Sequence, residues 1–174
     1  MNNHVHFVPA KSTRDFIQIA RLADTIWREH YIPIIGAGQV DYMLEKFQSA
    51  DAIAKQAAKG MVYYTVRSED TPVGYFAFEK MDRELFLSKI YLLKEYRSKG
   101  LGKASMEFIT ARARELDCAA ISLTVNKYND RSIKAYEGMG FRKTEEAVVD
   151  IGGGYVMDDY RMAKTLRSNK NLSV

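Results

Sequence analysis

The spacing of apolar and polar positions changes period along the chain. "HVHFVPA" (4–10) alternates and predicts a first strand, with Pro9 near its end. From Ser12 the spacing turns helical. Phe16, Ile19, Ala20, Ala23, Ile26 and Trp27 share a face, which predicts a helix over 12–31 opened by a Ser/Thr cap. "IPIIGAGQ" is expected to break it. Residues 39–60 read as one or two further helices, with Val40, Met43, Leu44 and Phe47 on one face and Gly60 as a stop. β-rich runs follow at 61–67 and 72–80, joined by "SEDT" as a hairpin connection. "ELFLSKIYLL" (84–93) is long and apolar enough for a buried strand. A helix is predicted over 102–117, with Ala104, Phe108 and Ala111 on one side and Ile109, Ala113 and Leu116 widening the apolar face.

A strand at 119–126, a short capped helix at 129–141 and two strands at 142–151 and 155–166 complete the pattern. Gly138 or Gly140 ends that helix, and "GGG" (152–154) is the turn between the last strands. The order is β, α, α, three strands, α, β, α, β, β. It predicts a mixed α/β (α+β) fold with strand–helix–strand units in the second half.

Length adds that one domain is expected, over 4–168, with a C-terminal tail at 169–174; the 174-residue chain shows no repeat or interior linker. The net charge of +4 sets 26 Lys and Arg against 22 Asp and Glu, too mild a balance for a nucleic-acid footprint. Cys118 is the only cysteine, which excludes a disulfide within the chain and a Cys-rich metal site. No signal-like or membrane-length apolar run is present, so a soluble, cytoplasmic protein with no membrane partner is expected. His4 and His6 lack a third ligand, so no metal is expected there.

The densest chemistry is "YRSKGLGKA" (96–104), where a strand feeds a glycine-rich basic turn into a helix. Such a junction is an anion site in general terms: helix N-terminal N–H groups point outward, and the dipole adds positive charge. A P-loop is excluded, because Gly102-Lys103 is followed by Ala104 and Arg97 stands where the first glycine belongs. A dinucleotide fingerprint is excluded by Ser105. Arg97-x-x-Gly100-x-Gly102 remains, and a solvated basic turn fits it nearly as well.

One helix and one strand later comes "VNKYNDRSIKAYEGMGF" (125–141). The two stretches in this order resemble the GCN5-related N-acetyltransferase superfamily, with a layout similar to its spermine/spermidine-type members. "KIYLLKEYRSKGLGK" and the closing "MAKTL" resemble that group as well. The resemblance implies a central, mostly antiparallel twisted sheet of about seven strands, flanked by helices and splayed at strands 4 and 5. It implies acetyl-CoA as cosubstrate, a small-molecule amine as acceptor, polyamine-like first, and a homodimer. Arg97, Ser98, Lys99, Gly100, Leu101, Gly102 and Lys103 match the turn that wraps the CoA pyrophosphate. Ile90, Tyr91 and Leu92 match the strand whose backbone bonds the pantetheine arm, as an exposed strand can. Asn129 and Tyr136 match the family's asparagine and tyrosine. Acetylation of a peptide or protein amine is the alternative within the class. A non-catalytic acyl-CoA sensor is the alternative outside it.

Acetyl transfer needs a neutral amine, a donor to the oxyanion and a proton for the leaving thiolate. Tyr136 is expected to supply that proton, against the plain alternative of an aromatic packed between Ile133 and Met139. The oxyanion donor is expected to be a backbone N–H near Leu92. The base stays open: Ser88 and Lys89 occupy the middle of the fourth strand, leaving Glu79, Glu84 or a water relay. For a cationic acceptor the acidic candidates are Asp41, Glu45, Glu79, Asp82, Asp150, Asp158 and Asp159. Trp27, His30 and Tyr31 form an aromatic cluster, with Trp27 and His30 read as packing, and Cys118 is read as core.

Overall fold

A computed structural model describes residues 4–167. The elements are β1 (Val5–Pro9), α1 (Thr13–Ile35), α2 (Ala37–Gln48), α3 (Ala50–Ala58), β2 (Val62–Ser68), β3 (Thr71–Met81), β4 (Glu84–Leu92), α4 (Leu101–Glu115), β5 (Ala120–Asn126), α5 (Asp130–Gly138), β6 (Arg142–Gly152) and β7 (Tyr155–Thr165). The strands form one seven-stranded sheet in the order β1-β2-β3-β4-β5-β7-β6. The pairs β1–β2, β2–β3, β5–β7 and β6–β7 are antiparallel, and β4–β5 is parallel. That parallel ladder covers only Glu84–Phe86 against Ala120–Ser122, although both strands run further. No described helix is long and apolar enough to cross a membrane. The tail expected at 169–174 lies outside the described residues, as does residue 168.

The chain divides into two compact units. One comprises the residues up to Glu79 with Ser88–Glu107; the other comprises Lys80–Leu87 and the chain from Phe108 on. In the first unit, Ser12 caps α1 by accepting from the Asp15 N–H, and Asp15 reaches back to the Ser12 N–H. The two bonds satisfy two helix-end donors at once. The backbone N–H groups of Lys11 and Ser12 also hold the Asp15 carboxyl below its ordinary range. Ile19, Ala23, Ile26 and Trp27 of α1 are buried with Val40 of α2, Ile53 of α3, and Tyr63, Tyr75 and Phe76 of the sheet.

The break expected at "IPIIGAGQ" falls four residues later than predicted. α1 runs through Pro33 to Ile35 and ends at Gly36. A proline removes one helical bond and crowds the preceding turn; here it lies in the last turn, where little helix is left to disrupt. The 39–60 pattern resolves as two helices, divided at Ser49, whose hydroxyl caps α3. The β2–β3 hairpin closes more tightly than "SEDT", with both strands running up to Glu69 and Asp70.

In the second unit, Leu85, Leu87, Ile109, Ala113, Ile121, Leu123, Phe141 and Met162 are buried. β5 pairs with β7 along its whole length, from Ala120↔Thr165 to Asn126↔Asp159. The turn of the β6–β7 hairpin is Gly153–Gly154, one residue shorter than the predicted 152–154, because Gly152 still pairs with Tyr155 at the end of β6.

Candidate functional site

β4 ends in the first unit against a glycine of β3. Gly74 has no side chain because none fits: a Cβ there would fall on the Tyr91 carbonyl oxygen and 2.7 Å from Leu92 Cδ2. The backbone of β4 at Tyr91 and Leu92 is thereby drawn close to β3, as an isolated glycine within a strand signals. The Leu93 N–H donates to the Val73 carbonyl at 2.9 Å and continues the contact. The Tyr91 ring sits in an aromatic cluster with Trp27, Tyr31 and Tyr75, at centroid distances of 5.4, 6.1 and 5.6 Å. The cluster is bonded as well as packed. Trp27 Nε1 donates to the Tyr75 hydroxyl at 3.0 Å, that hydroxyl donates to Gln48 Oε1 at 2.7 Å, and the Tyr31 and Tyr91 hydroxyls lie 3.1 Å apart.

The chain then makes a single 3-10 turn, Lys94–Tyr96, and enters the basic corner. Ser98 (φ 59°) and Gly100 (φ 81°) both take the left-handed conformation, the second at no steric cost to glycine. The Gly100 carbonyl accepts the first helical bond of α4, from Ala104 at 3.0 Å. The N–H groups of Leu101, Gly102 and Lys103 therefore belong to the first turn, where helix geometry supplies no partner. Leu101 is buried at 1% exposure and pins the start of the helix. Arg97 acts differently from a loose surface charge: its Nε donates to the Leu92 carbonyl at 2.9 Å and braces the corner against the end of β4. Lys99 lies over the Tyr96 ring and Lys103 pairs with Glu107 at 4.0 Å.

The middle of β4 carries a buried lysine. Lys89 is 9% exposed, and its Nζ donates to Gln56 Oε1 and Ser88 Oγ, each at 3.0 Å. It stands over the Tyr63 ring, and the Tyr63 hydroxyl donates to the same Gln56 oxygen. Burial pulls the amine down to about 8, partly opposed by the charge of Glu79. The linkage follows from the direction. Between about pH 8 and the ordinary lysine range the unfolded chain holds a proton that the fold has released. Stability attributable to Lys89 therefore rises with pH across that window, and below it the fold carries a buried charge. Lys89→Met is expected to remove this rise, by up to about 3 kcal/mol. Urea melts between about pH 7.5 and 9.5 check it.

In the second unit, Asn129 is 4% exposed and caps α5, its side chain accepting from the Ser132 N–H at 3.4 Å. Tyr136 lies half-buried on that helix, its ring edge-on to Phe141 at 5.8 Å. Glu84 accepts from the Ser122 hydroxyl and pairs with Arg161. The acidic candidates separate by environment. Asp41 pairs with Arg28 at 2.5 Å, Asp150 accepts from the Gly152 N–H at 2.8 Å, and Asp158 pairs with Lys127 at 2.6 Å. Glu45 and Asp82 are exposed and Glu79 is half-buried. Asp159 is buried at 6% exposure. Burial, with Asp158 alongside, pushes its carboxyl up to about 6 against the pull of Lys127 and a hydrogen bond from Thr124. Cys118 is buried at 7% exposure and its thiol is pushed up, chiefly by burial, in keeping with a core residue. Trp27 is core too, at 5% exposure.

The sequence pattern places β4, the corner, Asn129 and Tyr136. It does not mark Gly74, although a lone glycine in "PVGYFAF" is the available signal. It gives Lys89 no role, and it gives Asp159 no precedence among seven acidic residues.

Comparison with known proteins bears on the same stretch. The acetyltransferase (GNAT) family pattern matches residues 20–141. An uncharacterized N-acetyltransferase of Lactobacillus delbrueckii subsp. lactis is 26% identical over 156 residues, covering 83% of this chain and 87% of that protein. The thialysine N-epsilon-acetyltransferase of Bos taurus is 28% identical over 74 residues, 42% of this chain and 44% of its own length. Among solved structures, the PaiA N-acetyltransferase of Thermoplasma acidophilum, determined in complex with coenzyme A, matches with a TM-score of 0.76 and 18% identity. That match covers 94% of this chain and 99% of that one.

Proposed function

This chain belongs to the acetyltransferase (GNAT) family, and from that premise we propose that it moves the acetyl group of acetyl-CoA onto the primary amine of a small molecule, polyamine-like first. The transfer is a direct attack within a ternary complex. The observation that carries this reading is the corner from Arg97 to Lys103, set between a fixed strand end and the start of α4. Ser98 and Gly100 take the left-handed conformation on the way into α4, and a Cβ on Gly102 would meet nothing nearer than Leu92 Cδ1 at 3.9 Å. The absence of a side chain at Gly102 is therefore not a demand of the fold's own packing, and it leaves room for a ligand to approach the backbone.

Acetyl-CoA supplies the activated acetyl thioester. The backbone of Ile90, Tyr91 and Leu92 binds and aligns its amide-bearing arm, as an edge strand does. A backbone N–H near Leu92 donates to the developing oxyanion. Gly100, Leu101, Gly102 and the N–H groups of Ser98, Lys99 and Lys103 hold the diphosphate, and Arg97 keeps the corner against β4. Asn129 sets the start of α5, a helix that carries Tyr136. In this reading the Tyr136 phenol gives its proton to the departing thiolate as the C–S bond breaks, so that the sulfur does not have to leave as a free anion.

The bovine relative acts on the epsilon amine of thialysine by its name, which supports a primary amine on a flexible aliphatic arm. The lone, buried Cys118 supports a cytoplasmic setting. A thiol-release assay with acetyl-CoA over polyamines, amino sugars, amino acids and short peptides tests the reading. Turnover is expected with spermidine or a similar alkylamine. Turnover with peptides alone would move the acceptor to protein amines. Intact CoA binding without turnover of any amine would make the protein a sensor.

A further inference from the structure

Gln48 and Gln56 take no part in the proposed transfer. α2 ends at Gln48, so the Phe47 carbonyl is one of the last-turn acceptors for which the helix itself supplies no partner. Two side-chain amides supply one. Gln48 Nε2 donates to that oxygen at 2.8 Å, and Gln56 Nε2 of α3 donates to it at 2.9 Å. Each amide turns its own oxygen the other way. Gln48 Oε1 accepts from the Tyr75 hydroxyl of β3 at 2.7 Å, and that hydroxyl accepts from Trp27 Nε1 of α1 at 3.0 Å. Gln56 Oε1 accepts from the Tyr63 hydroxyl of β2 and, at 3.0 Å, from Lys89 Nζ of β4. The bonds form one continuous path from Trp27 through Tyr75, Gln48, Phe47 and Gln56 to Lys89, all of it within the first unit. The sense of every bond is fixed. An indole N–H and an ammonium, at the two ends, only donate, and the carbonyl in the middle only accepts. Turning either amide over would set its oxygen against the Phe47 oxygen. The path therefore has one arrangement, and a change at one end has to be taken up along it.

We propose that the Gln56–Phe47–Gln48 bridge carries the state of the Lys89 amine to Trp27, so that loss of one proton on β4 alters the hydrogen bond that Trp27 makes to β3. The first unit then holds a pH-sensitive device that does not depend on acetyl transfer. While the amine is charged, its bonds to Gln56 and Ser88 are charge-assisted, roughly twice as strong as neutral ones. On deprotonation the pull on Gln56 Oε1 falls. The Gln56 amide is then polarised less, and its bond to the Phe47 carbonyl weakens. That carbonyl turns to Gln48, which draws on Tyr75 and, through it, on Trp27. The Trp27 ring packs on Tyr91 at 5.4 Å, so both ends of the path bear on β4. The groups facing Lys89 set the range. From β2 comes the Tyr63 ring, whose hydroxyl is pushed up by burial and keeps its proton; from β4 comes the neutral Ser88. From β3 comes the charge of Glu79, which opposes the effect of burial on the amine. On α3, Asp51 and Lys55 are exposed and pair with each other at 2.8 Å. Burial has the larger influence, and the Lys89 amine titrates at about 8. Tyr75, in the middle of the path, is likewise pushed up by burial and stays protonated there.

Trp27 is the only tryptophan of the chain, so the single indole N–H resonance reads the far end of the path directly. Nitrogen-15-labelled protein carrying lysine labelled with carbon-13 at Cε reports both ends in one NMR titration from about pH 6.5 to 9.5, below the ordinary tyrosine and lysine ranges. One lysine resonance, absent from Lys89→Met, is expected to titrate with a midpoint at about 8. The indole resonance should move with the same midpoint in wild type and stay still in Lys89→Met. Gln56→Met and Gln48→Met cut the path at two points and leave Lys89 in place. In each, Lys89 should still titrate below the ordinary lysine range, and the indole resonance should no longer follow it. An indole that follows Lys89 in either folded variant shows the charge acting through space, and overturns the proposal. Wild type can overturn it alone. An indole that stays still while Lys89 titrates leaves the path as packing, and so does a Lys89 that does not titrate in this range. If neither glutamine variant folds, the side-chain amide resonances of Gln48 and Gln56 in wild type decide. Both should move with the Lys89 midpoint, and a still Gln48 amide beside a moving indole overturns the path.

Discussion

Tyr136→Phe is expected to lower kcat by about 100- to 1,000-fold while leaving KM for acetyl-CoA within about twofold. The substitution removes one oxygen. The ring keeps its edge contact with Phe141, and the α5 backbone keeps the bonds from the Met139 and Phe141 N–H groups to the Tyr136 carbonyl. Helix and hairpin should therefore survive, and a thermal melt within about 2 °C of wild type would show it. On the proposed mechanism, what is lost is the proton for the leaving sulfur. The deficit should consequently shrink with an acetyl thioester whose thiol is more acidic, because such a group leaves without protonation. If kcat stays near wild type across the pH range, Tyr136 is a packing residue and the acid lies elsewhere.

Gly74→Ala should have the largest effect on the fold. A single methyl group there has to displace the Tyr91 carbonyl and Leu92, neither of which is the loose end of a side chain. Backbone overpacking of this kind costs about 3 kcal/mol or more. In a chain of this size that lowers the melting temperature by roughly 6–12 °C. The damage should not stay local, because Leu92 also receives the Arg97 brace and Tyr91 belongs to the Trp27–Tyr31–Tyr75 cluster. Affinity for acetyl-CoA is expected to fall with stability. A Gly74→Ala variant that melts within about 2 °C of wild type would mean that β3 and β4 are not held at this distance.

How much of this was legible in the sequence depends on how local each signal is. Helix and strand periods, the Ser12 cap and the glycine turn of the last hairpin are properties of consecutive residues, and each appeared where expected, the turn one residue shorter. The end of α1 did not, because a proline only disfavours continuation and the neighbouring contacts decide where a helix stops. The turn at the corner was legible because glycine spacing encodes backbone conformation directly. Gly74 and Asp159 owe their significance to partners far along the chain: Tyr91 and Leu92 for the first, Thr124 and Asn126 for the second. Lys89 is similar, since a lysine in "LSKIY" reads as an interruption until Gln56 and Tyr63 are seen to receive it. Burial of a charged group is a tertiary fact with only a faint local signature.

The central claim is that the corner after β4 binds acetyl-CoA through its backbone, and a titration of acetyl-CoA into Gly102→Asp tests it most directly. The fold has room for the added Cβ, so the variant should remain folded. A carboxylate at the first turn of α4 then meets the diphosphate with like charge at close range. The dissociation constant is expected to rise about 100-fold or more, against less than about tenfold for Lys99→Ala or Lys103→Ala. A folded Gly102→Asp protein that binds acetyl-CoA as tightly as wild type would contradict the account and leave this corner as no more than a turn.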